Sequence, residues 1–201
     1  MTAPILQNLV CQFPRGPISR PETSTFATRK AWRERKEIVR LCGSFAVAGA
    51  LLEIRNSTPG AIWLRVVRDM WSTIDGDRRK LTWYLREVVE EGHGDLRDLM
   101  KSDARRKHAM LPPVVAAYRG CYEGVNDDGA SYSLTKETAA RFPSLMRYRM
   151  DEQTPILLTR QLIRGTCFLV DDRGEDEIVD LWASADIDVA EVEYLSEAVT
   201  A

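Results

Sequence analysis

Histidine and paired cysteine are scarce in this sequence, and their scarcity excludes several classes of site. Only His93 and His108 occur among 201 residues, so the sequence has no H-E-x-x-H zinc motif and little basis for a histidine-dependent triad. The four cysteines form no C-x-x-C pair, which argues against a zinc ribbon and a disulfide framework: Cys11, Cys42, Cys121 and Cys167. We expect reduced thiols and no bound metal.

Long apolar runs are also missing. The longest extends only from Phe45 to Leu52, far short of the roughly 20 residues that cross a bilayer. The first residues lack the cationic start and small-residue cleavage pattern of a secretory signal. Four prolines indicate that residues 1–26 form an extended arm: Pro4, Pro14, Pro17 and Pro21. We therefore expect a cytoplasmic protein without a membrane span.

The charge balance divides the chain into two unlike halves. Hydrophobic residues make up 44% and charged residues 29%, as in an ordinary globular protein. Residues 1–113 carry seven more basic than acidic side chains, whereas residues 114–201 carry nine more acidic than basic. The two halves should attract each other or bind different partners.

Residues 27–113 are predicted to form a helical domain. Four segments repeat apolar residues at intervals of three and four, beginning with the amphipathic stretch 27–41. Gly92-His93-Gly94 should end the fourth helix, Asp95 can cap a short fifth one, and Pro112-Pro113 marks the domain boundary. We expect this domain to hold a target or partner.

Residues 114–201 are predicted to form a second, β-rich domain. Short apolar runs alternate with turn sequences, and five strands with one brief helix fit into about 70 residues. Thr135 should cap that helix, and Pro143 should end or kink it. The fold class is therefore α+β, with a helical bundle followed by a small sheet domain.

Three elements in this second domain carry candidate chemistry. An arginine ends a strand in Tyr118-Arg119-Gly120, serines lie in Ser131-Tyr132-Ser133, and a Glu-x-Glu stands at Glu175-Asp176-Glu177. Their order and spacing resemble the R-S-E class of mono-ADP-ribosyltransferases, most closely its small bacterial and phage members. The likeness covers about a third of the chain. It implies a split β-sheet domain that uses NAD as substrate.

The resemblance implies a role for each residue in this group. Glu177 would be the catalytic glutamate, Glu175 would help an acceptor attack, and Ser131 would orient Glu177 and support the nicotinamide ribose. Arginine offers a planar fork of donors that matches phosphate oxygens, so Arg119 is the candidate for the NAD pyrophosphate. Gly120 would let a ligand approach the backbone, and Tyr132 or Phe142 would line the nicotinamide pocket.

Glycosidic chemistry explains the demand for carboxylates. Breaking the nicotinamide–ribose bond builds positive charge on the ribose, which a nearby carboxylate stabilises. Residues 175 and 177 of a strand point to the same face, roughly 6.5–7 Å apart. The chain has no G-x-G-x-x-G, since its one Gly-x-Gly is Gly92-His93-Gly94, so a Rossmann site for NAD is not expected.

These features predict a transferase that moves ADP-ribose from NAD to a macromolecule, with a protein arginine as acceptor because Glu-x-Glu goes with arginine in the family. One alternative is a non-catalytic binding protein, such as a phage or mobile-element inhibitor, built on the same scaffold. Another is an NAD glycohydrolase without an acceptor. The basic cluster within residues 29–40 could contact nucleic acid, an acidic protein surface or the acidic half of this chain.

Overall fold

A computed structural model describes residues 25–75, 78–145, 149–150, 152–171, 176–182 and 191–195. Its helices are α1 (Thr25–Arg40), α2 (Val47–Arg55), α3 (Gly60–Met70), α4 (Arg79–Glu90), α5 (Ser102–Met110) and α6 (Lys136–Arg141). A short 3-10 turn follows α3 at Trp71–Thr73, and another follows α6 at Phe142–Ser144. A third lies between α4 and α5 at Leu96–Leu99. Across these described segments, each helix is too short or too polar to cross a membrane. The N-terminal arm to residue 24 lies outside the described residues.

The helical region forms where the spacing of apolar residues predicts it. The helix α3 buries side chains on most of its circumference, including Trp63, whose indole Nε1 donates to the Leu51 carbonyl at 2.7 Å. Gly92 ends the turn after α4 with a φ of 71°, a left-handed conformation that favours glycine. Asp95 caps the 3-10 turn at Leu96–Leu99 by accepting from the Arg97 amide at 2.7 Å. The predicted stop after the fourth helix and the predicted cap at Asp95 are thus confirmed, although the short element that Asp95 caps is a 3-10 turn.

The strands form one open antiparallel sheet. They are β1 (Val114–Tyr122), β2 (Ser131–Ser133), β3 (Pro155–Ile163), β4 (Cys167–Val170), β5 (Glu177–Asp180) and β6 (Glu191–Tyr194). Their order across the sheet is β4-β5-β2-β1-β3-β6. The α+β class and the five predicted strands are confirmed, and β6 is an additional one. The described strands belong to a single sheet, so the split into two sheets implied by the resemblance is not found among them.

Secondary structure changes at Pro112-Pro113, but the hydrophobic core continues across that boundary. One cluster of buried residues includes Leu51, Trp63 and Trp71 from the helical half together with Phe168 and Val179 from the sheet. The rings of Trp71 and Phe168 pack edge to face, with centroids 5.4 Å apart. The helical half and the sheet therefore share this hydrophobic cluster.

The sheet face that α6 covers has a smaller cluster of its own. Ala139 and Ala140 of α6 pack with Leu157 of β3, and Tyr118 of β1 packs against them. Tyr118 and Gly120 lie on this α6 side of β1, because alternate residues of a strand share a face. The residue between them, Arg119, points to the opposite side.

Candidate active site

Glu177 begins β5 and lies in a row of side chains that crosses the sheet. The strand registers pair Val170 with Glu177, Glu177 with Ser133, and Ser133 with Tyr118. Directly paired residues of neighbouring strands point to the same face. Glu177, Ser133 and Tyr118 therefore lie side by side on the face that carries α6.

Two donors from the helical half converge on one oxygen of Glu177. Trp71 Nε1 donates to Glu177 Oε1 at 3.1 Å, and Arg78 Nη1 donates to the same Oε1 at 3.2 Å. The Arg78 guanidinium lies 4.8 Å from the centroid of the Trp71 ring, and its Nη2 donates to the Ile74 carbonyl at 2.9 Å. The Glu177 side chain is 19% exposed, so part of it reaches solvent. Glu177 is thus anchored through Oε1 and accessible.

Ser133, and not Ser131, is the direct cross-strand partner of Glu177. Ser131 pairs with Val179, two positions further along β5. The Ser133 side chain is buried and its Oγ accepts from the Thr135 amide at 3.1 Å, at the start of α6. The serine predicted to orient Glu177 is Ser131, but the strand register places Ser133, two residues later, beside Glu177.

Arg119 makes hydrogen bonds to the backbone of its own loop. Its Nε donates to the Asn126 carbonyl at 2.9 Å and its Nη1 donates to the Ser131 carbonyl at 2.5 Å. A Cβ at Gly129 would lie 2.1 Å from Nη2, so the loop closes tightly over the guanidinium. Burial lowers the pKa of Arg119. In this position Arg119 holds residues 123–131 against β1.

The predicted NAD-binding residues lie on both faces of the sheet. Arg119 and Tyr132 alternate with Tyr118 and Ser133, so they point away from the face that carries Glu177. Tyr132 is 3% exposed, and its hydroxyl has no hydrogen-bond partner among the residues that the structure describes. The structure brings Glu177, Ser131 and Ser133 to one face and leaves Arg119 and Tyr132 on the other.

Gly120 is packed against protein. A Cβ at this position would meet the Ala139 carbonyl oxygen at 2.0 Å and Pro143 Cδ at 2.8 Å. Glycine is required here because α6 and the following 3-10 turn approach β1 so closely. The approach predicted for a ligand is occupied by α6. Phe142, half-buried, begins that 3-10 turn, on the side of the sheet opposite Tyr132.

The turn before β5 is described only from Asp176 onward, so Glu175 lies outside the described residues. Asp176 has a φ of 43°, in the left-handed region. Its carboxylate accepts from Lys107 Nζ at 3.1 Å, and the same Nζ pairs with Asp171 at 2.9 Å. A lysine of α5 thus provides a second link between the helical half and the start of β5.

Two of the described cysteines lie in the sheet, and neither is a ready nucleophile. Cys121 and Cys167 are buried, and burial raises the pKa of Cys121 to about 11 and that of Cys167 to about 12. Both side chains are therefore protonated at neutral pH. Cys42 is also a free thiol, and Cys11 lies outside the described residues.

The basic cluster of α1 is largely paired within the protein. Lys36 contacts Asp69 at 3.2 Å, Arg40 pairs with Glu37, Lys30 pairs with Glu34, and Arg35 donates to a backbone carbonyl. The remaining members, Arg29 and Arg33, are exposed. A contact of α1 with nucleic acid stays a prediction, and these pairings reduce the charge that it could offer.

Replacing Arg119 with alanine should reduce stability. The Asn126 and Ser131 carbonyls would lose their donor, and we expect the free energy of unfolding to fall by about 2 kcal/mol, measured by denaturant unfolding. The exposed Arg33→Ala is the matched control and should change stability by less than about 0.5 kcal/mol.

Calorimetric titration with NAD tests the role implied for Arg119 by the resemblance. Unchanged NAD affinity in a folded Arg119→Ala protein would remove Arg119 from the substrate site.

The sequence motif points to Glu177 but not to Trp71 or Arg78, and it does not single out Ser133. The contacts of Trp71 and Arg78 with Glu177 join residues 106 and 99 positions apart, and neither residue stands in a local motif. Ser133 is the second serine of the Ser-x-Ser, but only the β2–β5 register distinguishes it from Ser131.

The sequence matches no protein-family model, and neither the curated proteins nor the solved structures include a match to this chain.

Proposed function

We propose that this protein is a mono-ADP-ribosyltransferase that cleaves NAD and transfers ADP-ribose to a macromolecular acceptor, with Glu177 as the catalytic carboxylate. The observation that carries the proposal is the setting of Glu177. Its Oε1 is anchored by two donors and its cross-strand neighbour is Ser133. Among the described residues, no hydrogen bond engages its Oε2. A carboxylate with one anchored and one available oxygen suits stabilisation of a ribosyl cation.

The reaction breaks the C–N bond between nicotinamide and the ribose C1′. Nicotinamide leaves with the bonding electron pair, and positive charge develops on the ribose, where a carboxylate at Glu177 lowers its energy. An acceptor nitrogen then forms the new bond to C1′ and loses a proton. By the resemblance, Glu175 takes that proton, and a protein arginine is the acceptor.

The test is incubation of the purified protein with NAD labelled in its adenylate part, with and without a cell lysate. Release of nicotinamide with label on a discrete protein band supports the transferase. Nicotinamide release without protein labelling would indicate an NAD glycohydrolase. A folded protein that releases no nicotinamide under either condition would contradict both enzymatic activities.

A second candidate is a non-catalytic binding protein on a similar scaffold. The observation that favours it is the setting of Arg119, whose Nε and Nη1 are engaged by loop carbonyls on the sheet face opposite Glu177. Arg119, the residue expected to bind phosphate, is already hydrogen-bonded to backbone carbonyls. The protein could therefore keep this fold without cleaving NAD. Calorimetry with NAD, combined with the labelling assay, separates the two candidates because a binding protein would show no nicotinamide release.

A further inference from the structure

Trp71 and Arg78 lie in the helical half but contact the carboxylate assigned to catalysis. We propose that both are positioning residues, which fix the orientation of Glu177 so that its Oε2 faces the substrate ribose. The inference rests on the proposed function. It also gives the helical half a part in the chemistry, beyond the target binding expected for it.

Trp71 is suited to this role because it cannot move independently of the core. Its side chain is fully buried, and its ring packs edge to face against Phe168 of β4, the strand next to β5. The indole N–H reaches Glu177 Oε1 from this fixed ring. A donor held by packing limits the carboxylate to a narrow range of orientations.

Arg78 is held in three ways. Its guanidinium stacks over Trp71, donates through Nη2 to the Ile74 carbonyl, and donates through Nη1 to Glu177 Oε1. The side chain is 25% exposed, so the ion pair is only partly shielded from solvent. The main effect of the ion pair is therefore on the orientation of the carboxylate. Two fixed donors on Oε1 of Glu177 define where its Oε2 points.

The experiment compares Arg78→Gln, Arg78→Lys and Trp71→Phe with wild type in steady-state nicotinamide release. A misdirected catalytic group typically costs about 10- to 100-fold in rate. We expect Arg78→Gln to lower kcat by about 30-fold, within that range, with the KM for NAD changed by less than about twofold. Arg78→Lys keeps a charged donor and should recover part of kcat. Trp71→Phe keeps an aromatic ring against Phe168 but lacks the N–H donor. It should therefore lower kcat, without the partial recovery expected for Arg78→Lys.

Arg65→Gln is the matched control, because it breaks a half-buried pair of the same type, Arg65 with Asp98 at 3.0 Å, within the helical half. It should retain wild-type kcat. Melting curves for every variant separate misfolding from misdirection. If Arg78→Gln keeps wild-type kcat, or if Arg78→Gln and Arg78→Lys lose activity only in proportion to the folded fraction, the positioning role is wrong. Wild type without nicotinamide release would overturn the proposed function, and the positioning role with it.

Discussion

Glu177→Gln is expected to abolish both nicotinamide release and protein labelling, with a loss of about 10²- to 10³-fold in kcat. Glutamine keeps the size of the side chain and an oxygen that can accept from Trp71 Nε1, the donor now found at 3.1 Å. It lacks the negative charge that opposes the developing ribosyl cation. The loss should therefore appear in kcat while the protein remains folded.

Glu175→Gln separates transfer from hydrolysis. By the resemblance, Glu175 activates only the acceptor, so this variant should lose protein labelling and keep much of the slow nicotinamide release. Water needs less activation than a protein side chain once the cation has formed. Parallel assays of both products, with melting curves, measure the difference. If Glu177→Gln retains wild-type turnover, the carboxylate is not catalytic and the binding-protein candidate takes its place.

Gly120→Ala is expected to destabilise the protein by about 3 kcal/mol, because an added methyl group has no space. The new carbon would lie 2.0 Å from the Ala139 carbonyl oxygen and 2.8 Å from Pro143 Cδ, so α6 would have to move away from β1. In a chain of this size the loss corresponds to roughly 6–12 °C in Tm. Thermal unfolding followed by circular dichroism measures it.

Gly49→Ala is the matched control and should have the opposite sign. Gly49 is exposed on α2, and a Cβ there meets no atom within 4 Å. Alanine is a better helix former than glycine by up to about 1 kcal/mol, and Gly49 lies in the first turn of α2, so Tm should rise slightly. If the two substitutions shift Tm equally, the tight packing of α6 on β1 is wrong.

The helices and five strands were predictable because local periodicity and turn residues specify them. Gly92, Asp95 and Pro143 act within a few residues of the helix ends that they define. The strand β6 gave no comparable signal, since all four of its residues are exposed and two of them are glutamates. Its residues do alternate as Glu-Val-Glu-Tyr, but the run is only four residues long and glutamate is depleted in strands, so the alternation is a weak indication.

The site was only partly predictable because it depends on strand register and on distant contacts. A motif can place Arg119 and Glu177 on strands, but the sheet face of each follows from the pairing of Tyr118 with Ser133 and of Ser133 with Glu177. The packing of Gly120 beneath α6 is likewise a tertiary contact, although the glycine itself suggested a close approach.

The separation of Glu177 from its two anchors has a consequence for synthesis of the chain. Ribosomes add about 5–20 residues per second, and Arg78 precedes Glu177 by 99 residues, so the carboxylate follows its anchor by roughly 5–20 seconds. During that interval Trp71 lacks the Phe168 ring that packs against it in the folded protein. Because contacts between distant parts of a chain slow folding, the helical half can collapse first, and the contacts around Glu177 form only when β4 and β5 join it. A nascent chain therefore lacks the proposed catalytic carboxylate, and the partner of both donors, until β5 has been synthesised.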